Sequence, residues 1–278
     1  MSGSFRVLIF GLVLGALFAG AVAVGNAVGP IERGARNAGG HAGEEAEAAA
    51  HLPAGLSLAE DGLRLVPART ALAPGRPQVF AFRVLDSRGR TVRDYDTLHE
   101  RRMHLIVVRR DLTGFHHLHP VLRADGLWTT TVKLEKPGAY RAFADFSTRG
   151  RRTVLGVDLA APGIAVPHAL PRPAARAGAG GGYDVALEAQ RVASGQPSIL
   201  SFHVRRDGRT VQVDPYLGAR GHLVVLREGD LGYLHTHPED DALDFETIFP
   251  SAGRYRAFLQ FADGGRVRTA AFTLEVGR

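Results

Sequence analysis

The sequence predicts an all-β chain: two tandem Ig-like or cupredoxin-like β-sandwiches behind an amino-terminal transmembrane helix. Three observations carry that prediction. A block of about a hundred residues is written twice, which matches the usual domain size. Within each copy, short apolar runs recur every 8–12 residues between turn signals, as in sandwiches. After residue 29, no long helical periodicity is found.

From the amino terminus, residues 1–6 contain one basic residue, Arg6, and are expected to lie in the cytoplasm. Val7 to Gly29 carries no charge, and about 20 apolar residues suffice to cross a bilayer as a helix. This segment is expected to anchor the chain, or to serve as an export signal cleaved near Ala19-Gly20-Ala21 or Ala21-Val22-Ala23. Residues 30–54 hold His41, Glu44, Glu45, Glu47 and His51 among small residues and read as a flexible tether. The bulk of the chain is therefore expected outside a cell membrane, single-pass, or secreted if the segment is removed.

Repeat one is expected over residues 55–162 and repeat two over residues 183–278. Gly75-Arg76-Pro77 through Val84 matches Gly195-Gln196-Pro197 through Val204, and Gly138 through Phe143 matches Gly253 through Phe258. The offset drifts from 120 (195 − 75) to 115 (253 − 138), as loop-length changes would make it. Phe80 to Val84 leads through the turn residues Asp86-Ser87-Arg88-Gly89 into Thr91-Val92; repeat two does the same through Asp207-Gly208. Trp128 to Leu134 alternates, and Lys136-Pro137-Gly138 turns the chain into Tyr140 to Phe146. The aromatic residues Phe82, Trp128, Tyr140, Phe143 and Phe146, with Phe202, Phe249, Tyr255, Phe258 and Phe261, are assigned to core. Residues 163–182, rich in Pro, Ala and Gly, read as a linker with too little apolar surface to order itself.

The histidines are duplicated in register. His104, His117 and His119 recur as His222, His235 and His237, each 118 residues on (222 − 104, 235 − 117, 237 − 119). Side chains alternate along a strand, so His117 and His119 share a face. A hairpin symmetric about Asp111/Leu112 would set His104 opposite His119, with β-carbons about 4.5–5.5 Å apart. Each triad is therefore expected to form a metal site, with His99, His116, Asp96 and Asp145 as possible additional ligands. Imidazole suits copper or zinc, and three imidazoles leave a position open. Affinity is expected to fall below about pH 6.5, where unperturbed imidazole protonates.

Other readings attach to the same residues. Histidines at strand ends can be scaffold, which would make the chain a structural or partner-binding Ig-like surface protein. A metal-dependent enzyme is a further alternative, with Asp111 or Glu100 as acid–base candidates, although no nucleophile elbow or phosphate-binding loop accompanies them. Cysteine is absent and methionine occurs twice, which excludes thiolate sites and disfavours a soft Cu(I) carrier. The net charge of +6 comes almost entirely from arginine spread through the domains, with Lys133 and Lys136 the only lysines. Nucleic acid is not an expected partner.

The segment Met103 to Phe115 followed by His117-Leu118-His119-Pro120, together with Gly55-Leu56, Asp61-Gly62 and Gly221-His222-Leu223, resembles poorly characterised membrane-anchored or secreted actinobacterial proteins often labelled heavy-metal-binding. The resemblance implies an extracytoplasmic metal role, copper among the candidates, without an established activity. The histidine triads themselves are read as serving metal buffering, delivery or sensing, with a metal transporter or another envelope protein as an expected partner.

Overall fold

The computed structural model describes residues 53–278 except 190, 191, 235, 240 and 241. The expected anchor, nearly all of the tether and His235 lie outside the described residues. Among the described residues no helix is long and apolar enough to cross a membrane.

Strand succeeds strand throughout. Repeat one comprises β1 (Ala59–Glu60), β2 (Leu63–Pro67), β3 (Pro77–Leu85), β4 (His104–Arg109), β5 (His116–Leu118), β6 (Val121–Leu122), β7 (Trp128–Lys133), β8 (Gly138–Thr148) and β9 (Arg151–Ala161). Repeat two comprises β10 (Arg176–Gly180), β11 (Tyr183–Ala189), β12 (Pro197–Arg206), β13 (Arg209–Thr210), β14 (Gly221–Arg227), β15 (Tyr233–Leu234), β16 (His237–Glu239), β17 (Asp244–Ile248), β18 (Gly253–Asp263) and β19 (Arg266–Val276).

Each repeat is a two-sheet sandwich. In repeat one the order β1-β2-β3-β7-β6 faces β5-β4-β8-β9; in repeat two β10-β11-β12-β17-β16 faces β15-β14-β18-β19, with β13 paired to β12. Lettering the strands from β2 onward as A, B, C, C′, D, E, F and G gives A-B-E-D against C′-C-F-G, the immunoglobulin arrangement. Of the two sandwich types the sequence left open, strand order selects the Ig one. A second hallmark agrees: near the start of strand F, the Tyr140 hydroxyl donates to Lys136 O at 2.8 Å and Tyr255 does the same to Ser251 O at 2.8 Å. Such tyrosine corners tie strand F to the loop before it.

Local chemistry explains the elements. In β3, Phe80, Phe82 and Val84 are fully buried while the alternate side chains are not, the period of a strand with one face on a core. The following turn closes on Asp86, whose Oδ1 accepts from Arg88 N and Arg90 N, both at 2.9 Å.

Strands β4 and β14 behave differently, being buried on both faces. Leu105 and Val107 enter the core of repeat one, and Leu223 and Val225 that of repeat two. The alternate residues Ile106, Val108, Val224 and Leu226 enter a third core with Phe143, Tyr233 and Phe258. The two C′-C-F-G sheets therefore pack outer face to outer face. Phe115 stacks on Phe258 with centroids 4.1 Å apart, and Tyr233 lies 5.6 Å from Phe143. Phe115 and Tyr233 are equivalent in the two repeats, as are Phe143 and Phe258. The contact is thus reciprocal, as at the interface of a two-fold dimer.

Two segments fasten this junction. Residues 54–57 cross between the repeats: Ala54 and Tyr233 exchange backbone hydrogen bonds of 2.9 and 3.0 Å, and Gly156 N donates to Ser57 O at 2.8 Å. Gly55 is required there, since its φ is +70° and a Cβ would collide with Phe143, while a Cβ at Gly156 would run into the Gly55 carbonyl.

The Pro/Ala/Gly stretch after β9 is held by its neighbours rather than by apolar surface of its own. It contains β10, buries Leu170 in the third core, and is held by Arg109 donating to Val166 O at 2.7 Å and by His168 N donating to Asp111 Oδ2 at 2.9 Å. Its order is supplied from outside, by the turn between β4 and β5.

Candidate metal centre

The β4–β5 hairpin has the register its sequence predicts. Leu105 pairs with Leu118, Ile106 with His117 and Val107 with His116; continued by one residue, the ladder sets His104 across from His119. The rings of His104, His117 and His119 lie within 4.7–5.2 Å of one another by centroid. They share the face that carries Ile106 and Val108, the one turned toward repeat two.

His222 completes the group from the other repeat. Its ring lies 5.3 Å from His104, nearly parallel at 6°, and 4.6 Å from His117. His104 and His222 are equivalent residues, so the histidine of strand C in one copy meets the same histidine in the other. One nitrogen each from His104, His117 and His222 lies within 4.8 Å of the other two. The sequence assigned His222 to a separate triad; here it joins the first.

Hydrogen bonding fixes the protons on two of these rings. His104 Nε2 is 3.0 Å from Leu98 O; a carbonyl only accepts, so that nitrogen carries the proton and Nδ1 is bare. His117 Nδ1 is 2.6 Å from Gln260 Oε1, and Gln260 Nε2 donates to Thr269 Oγ1 at 3.2 Å. His117 therefore donates from Nδ1, and its Nε2 is bare. The two bare nitrogens face each other at 2.9 Å, a repulsive pairing unless a cation lies between them. In metal sites the outer ring nitrogen characteristically donates to a fixed acceptor in this way.

A proton is a poor candidate for that cation at neutral pH. Burial, reinforced by the neighbouring His104, pushes His117 down to about 3 and His119 down to about 4. Burial also lowers His104, and holds His222 well below the ordinary imidazole value, with His117 adding to the effect. The proton competition expected near pH 6.5 is accordingly displaced to more acid conditions.

The donor set fits a divalent transition metal. Nε2 of His222 and Nε2 of His119 are buried and lack a hydrogen-bond partner. Tetrahedral coordination with bonds of about 2.0–2.1 Å puts nitrogens about 3.3 Å apart; here His104 Nδ1 and His117 Nε2 are 2.9 Å apart and the three nitrogens all lie within 4.8 Å of one another. Side-chain adjustments on the order of 1 Å would close the site.

The remaining candidates separate. His99 sits beside the cluster, 6.1 Å from His104 and 5.9 Å from His222 by ring centroid. His116 is on the opposite face of β5, near Lys133 and Glu135, as strand alternation requires. Asp96 is engaged by Ser147 Oγ at 2.6 Å and Gly150 N at 2.8 Å, closing a loop rather than facing the histidines. Asp145 pairs with His104 in the ladder but is fully buried, and its carboxylate receives Arg152 at 2.6 and 2.8 Å and the Tyr233 hydroxyl at 3.2 Å. It shapes the field at the cluster without a free face for an ion. The backbone of His237 pairs with Glu246 in the other sheet: the chain leaves the β14–β15 hairpin after Leu234. Asp111, an acid–base candidate, is occupied by Thr113, His168 and Arg109. Sequence reasoning did not find Gln260 or Leu98 O as proton acceptors, or the engagement of Asp145 by Arg152 and Tyr233.

The fold and the cluster define a tandem Ig-type protein whose histidines gather where its repeats meet. The chain belongs to the family described as Domain of unknown function (DUF8832), whose model matches residues 59–163 and again residues 177–278. That description names neither a metal nor an organism. No curated protein matches. Among solved structures, the Escherichia coli adhesin FdeC is similar at 11% identity over 80% of this chain and 66% of its own, with a TM-score of 0.27. The Yersinia pseudotuberculosis adhesin InvE is similar at 14% identity over 79% and 60%, with a TM-score of 0.27. A Salmonella alpha-2-macroglobulin is similar at 15% identity over 81% of this chain and 15% of that one, with a TM-score of 0.29. The chain thus spans two thirds or less of each, and the Ig assignment rests on its own strand order.

Proposed function

We propose that this protein binds one divalent transition-metal ion, copper or zinc, at the junction of its repeats, through His104, His117 and His222. The observation that carries the reading is the pair of bare imidazole nitrogens on His104 and His117, each ring's other nitrogen committed to a fixed acceptor. The orphaned Nε2 of His222 and of His119 adds to it. Imidazole-only ligation suits Cu(II) or Zn(II).

An extracytoplasmic setting, with residues 7–29 as anchor, is part of the proposal, as are metal buffering, delivery or sensing and a transporter or other envelope protein as partner. A second reading has its own observation: near-parallel stacking of His222 on His104 is packing that a purely structural surface protein could use to join its repeats. Isothermal titration of the full chain with Zn(II) and Cu(II) separates the two. One equivalent is expected, abolished by His117→Ala. An absence of binding would leave the structural reading standing.

A further inference from the structure

Three imidazoles leave one position of a tetrahedral ion unassigned. Beside them stands His119, on the same strand face as His117 and across from His104 when the hairpin ladder is continued by one residue. Its ring centre is 5.1 Å from that of His104 and 4.7 Å from that of His117. The three ligands keep the same spacing among themselves, from 4.6 Å to 5.3 Å. Four imidazoles bound tetrahedrally through bonds of about 2.0–2.1 Å would hold their ring centres about 5 Å apart. His99 stands farther off, at 6.1 Å from His104 and 5.9 Å from His222.

The His119 ring also carries an atom in want of a partner. Its Nε2 is buried and makes no hydrogen bond, whereas buried polar atoms are nearly always paired. The nitrogens of His104, His117 and His222 already lie within 4.8 Å of one another without that of His119, so His119 closes the set by turning its ring. It is only partly buried, which leaves room for that turn. Repeat two offers no equivalent: His237, the counterpart of His119, pairs its backbone with Glu246 in the other sheet.

Building on the proposed metal site, we infer that His119 Nε2 is the fourth ligand, so that the ion is held by four imidazoles. His104, His117 and His119 come from repeat one, and His222 comes from repeat two. Such a sphere is closed. It leaves no open position for a reacting water, and closed four-ligand sites are structural ones. The ion then pins β14 of repeat two to the β4–β5 hairpin of repeat one, and occupancy is coupled to the docking of the repeats. That coupling favours sensing or retention of the metal over its ready hand-over.

The test is nitrogen-15 NMR of the full chain with labelled histidines, metal-free and loaded with Zn(II), with metal content measured on the same sample. Zinc moves the resonance of the ring nitrogen it binds away from that of a bare nitrogen. Expected is one zinc per chain and four rings with a bound nitrogen, His119 among them through Nε2. In H119A one zinc should remain on three rings, with affinity lowered by at least the roughly 10–100-fold typical of losing an outer partner. One zinc with the His119 resonances unmoved would overturn the inference while leaving the metal site intact, as would wild-type affinity in H119A. If H119A fails to fold or to retain zinc, the wild-type spectra alone decide between a moved and an unmoved His119. A chain that binds no zinc would overturn the metal reading itself, and the fourth ligand with it.

Discussion

Replacing Gln260 by leucine removes the acceptor of the 2.6 Å bond from His117 Nδ1 and should weaken metal binding without touching a ligand. Gln260 fixes His117 with its proton on Nδ1, so that Nε2 stays bare beside His104 Nδ1. Without it, His117 is free to move its proton to Nε2 and donate to His104 across the 2.9 Å gap; an incoming metal must then displace that proton. Loss of such an outer partner typically costs 10–100-fold in metal affinity, or about 1.4–2.7 kcal/mol. Q260E should act in the opposite direction, since a carboxylate makes the imidazole a stronger ligand. Competition titration of Zn(II) against a chromophoric chelator measures both. Equal affinity in wild type and Q260L would refute the tautomer reasoning, because it would mean that the amide does not hold the ring.

Three further outcomes follow from the same geometry. In metal-free buffer, stability should be flat above about pH 7 and fall between pH 6.5 and 4: folded His117 and His119 stay neutral to about 3 and about 4, while the unfolded chain takes up protons from 6.5 downward. Each such ring contributes up to about 1.4 kcal/mol per pH unit over that window, and urea midpoints against pH would show it; a midpoint independent of pH would contradict it. Phe258→Ala removes the ring stacked on Phe115 in the third core and should cost about 3–5 kcal/mol, separating the unfolding of the two repeats, as read by denaturant titration with probes in each. Gly55→Ala forces a side chain into a left-handed position at about 1–2 kcal/mol and against Phe143, so amide exchange at Ala54 and Gly156 should rise while both sandwiches remain folded.

Much of this was legible because strand physics is local. A period of two and a short turn determine which of His104, His117 and His119 share a face, and the hairpin has that register. The same alternation could have turned His116 away. How the copies dock is not local, and the spacing within one repeat carries no record of His222 arriving beside His117. A trace was present in the uninterrupted apolar runs Leu105 to Val108 and Leu223 to Leu226, since a strand buried on both faces reads that way. The linker's anchoring was not legible, because composition measures what a segment can bury by itself, whereas Leu170 and the backbone of His168 are held by residues of repeat one and the shared junction. The carbonyl of Leu98 and the amide of Gln260 carry no motif, and only a folded chain brings them to the rings.

Anomalous scattering at the zinc edge from crystals of the loaded protein reports whether both repeats supply ligands to a single ion. One peak is expected, within bonding distance of nitrogens from His104, His117 and His222. A peak bound by one repeat alone, or two peaks lying apart in the two repeats, would contradict it.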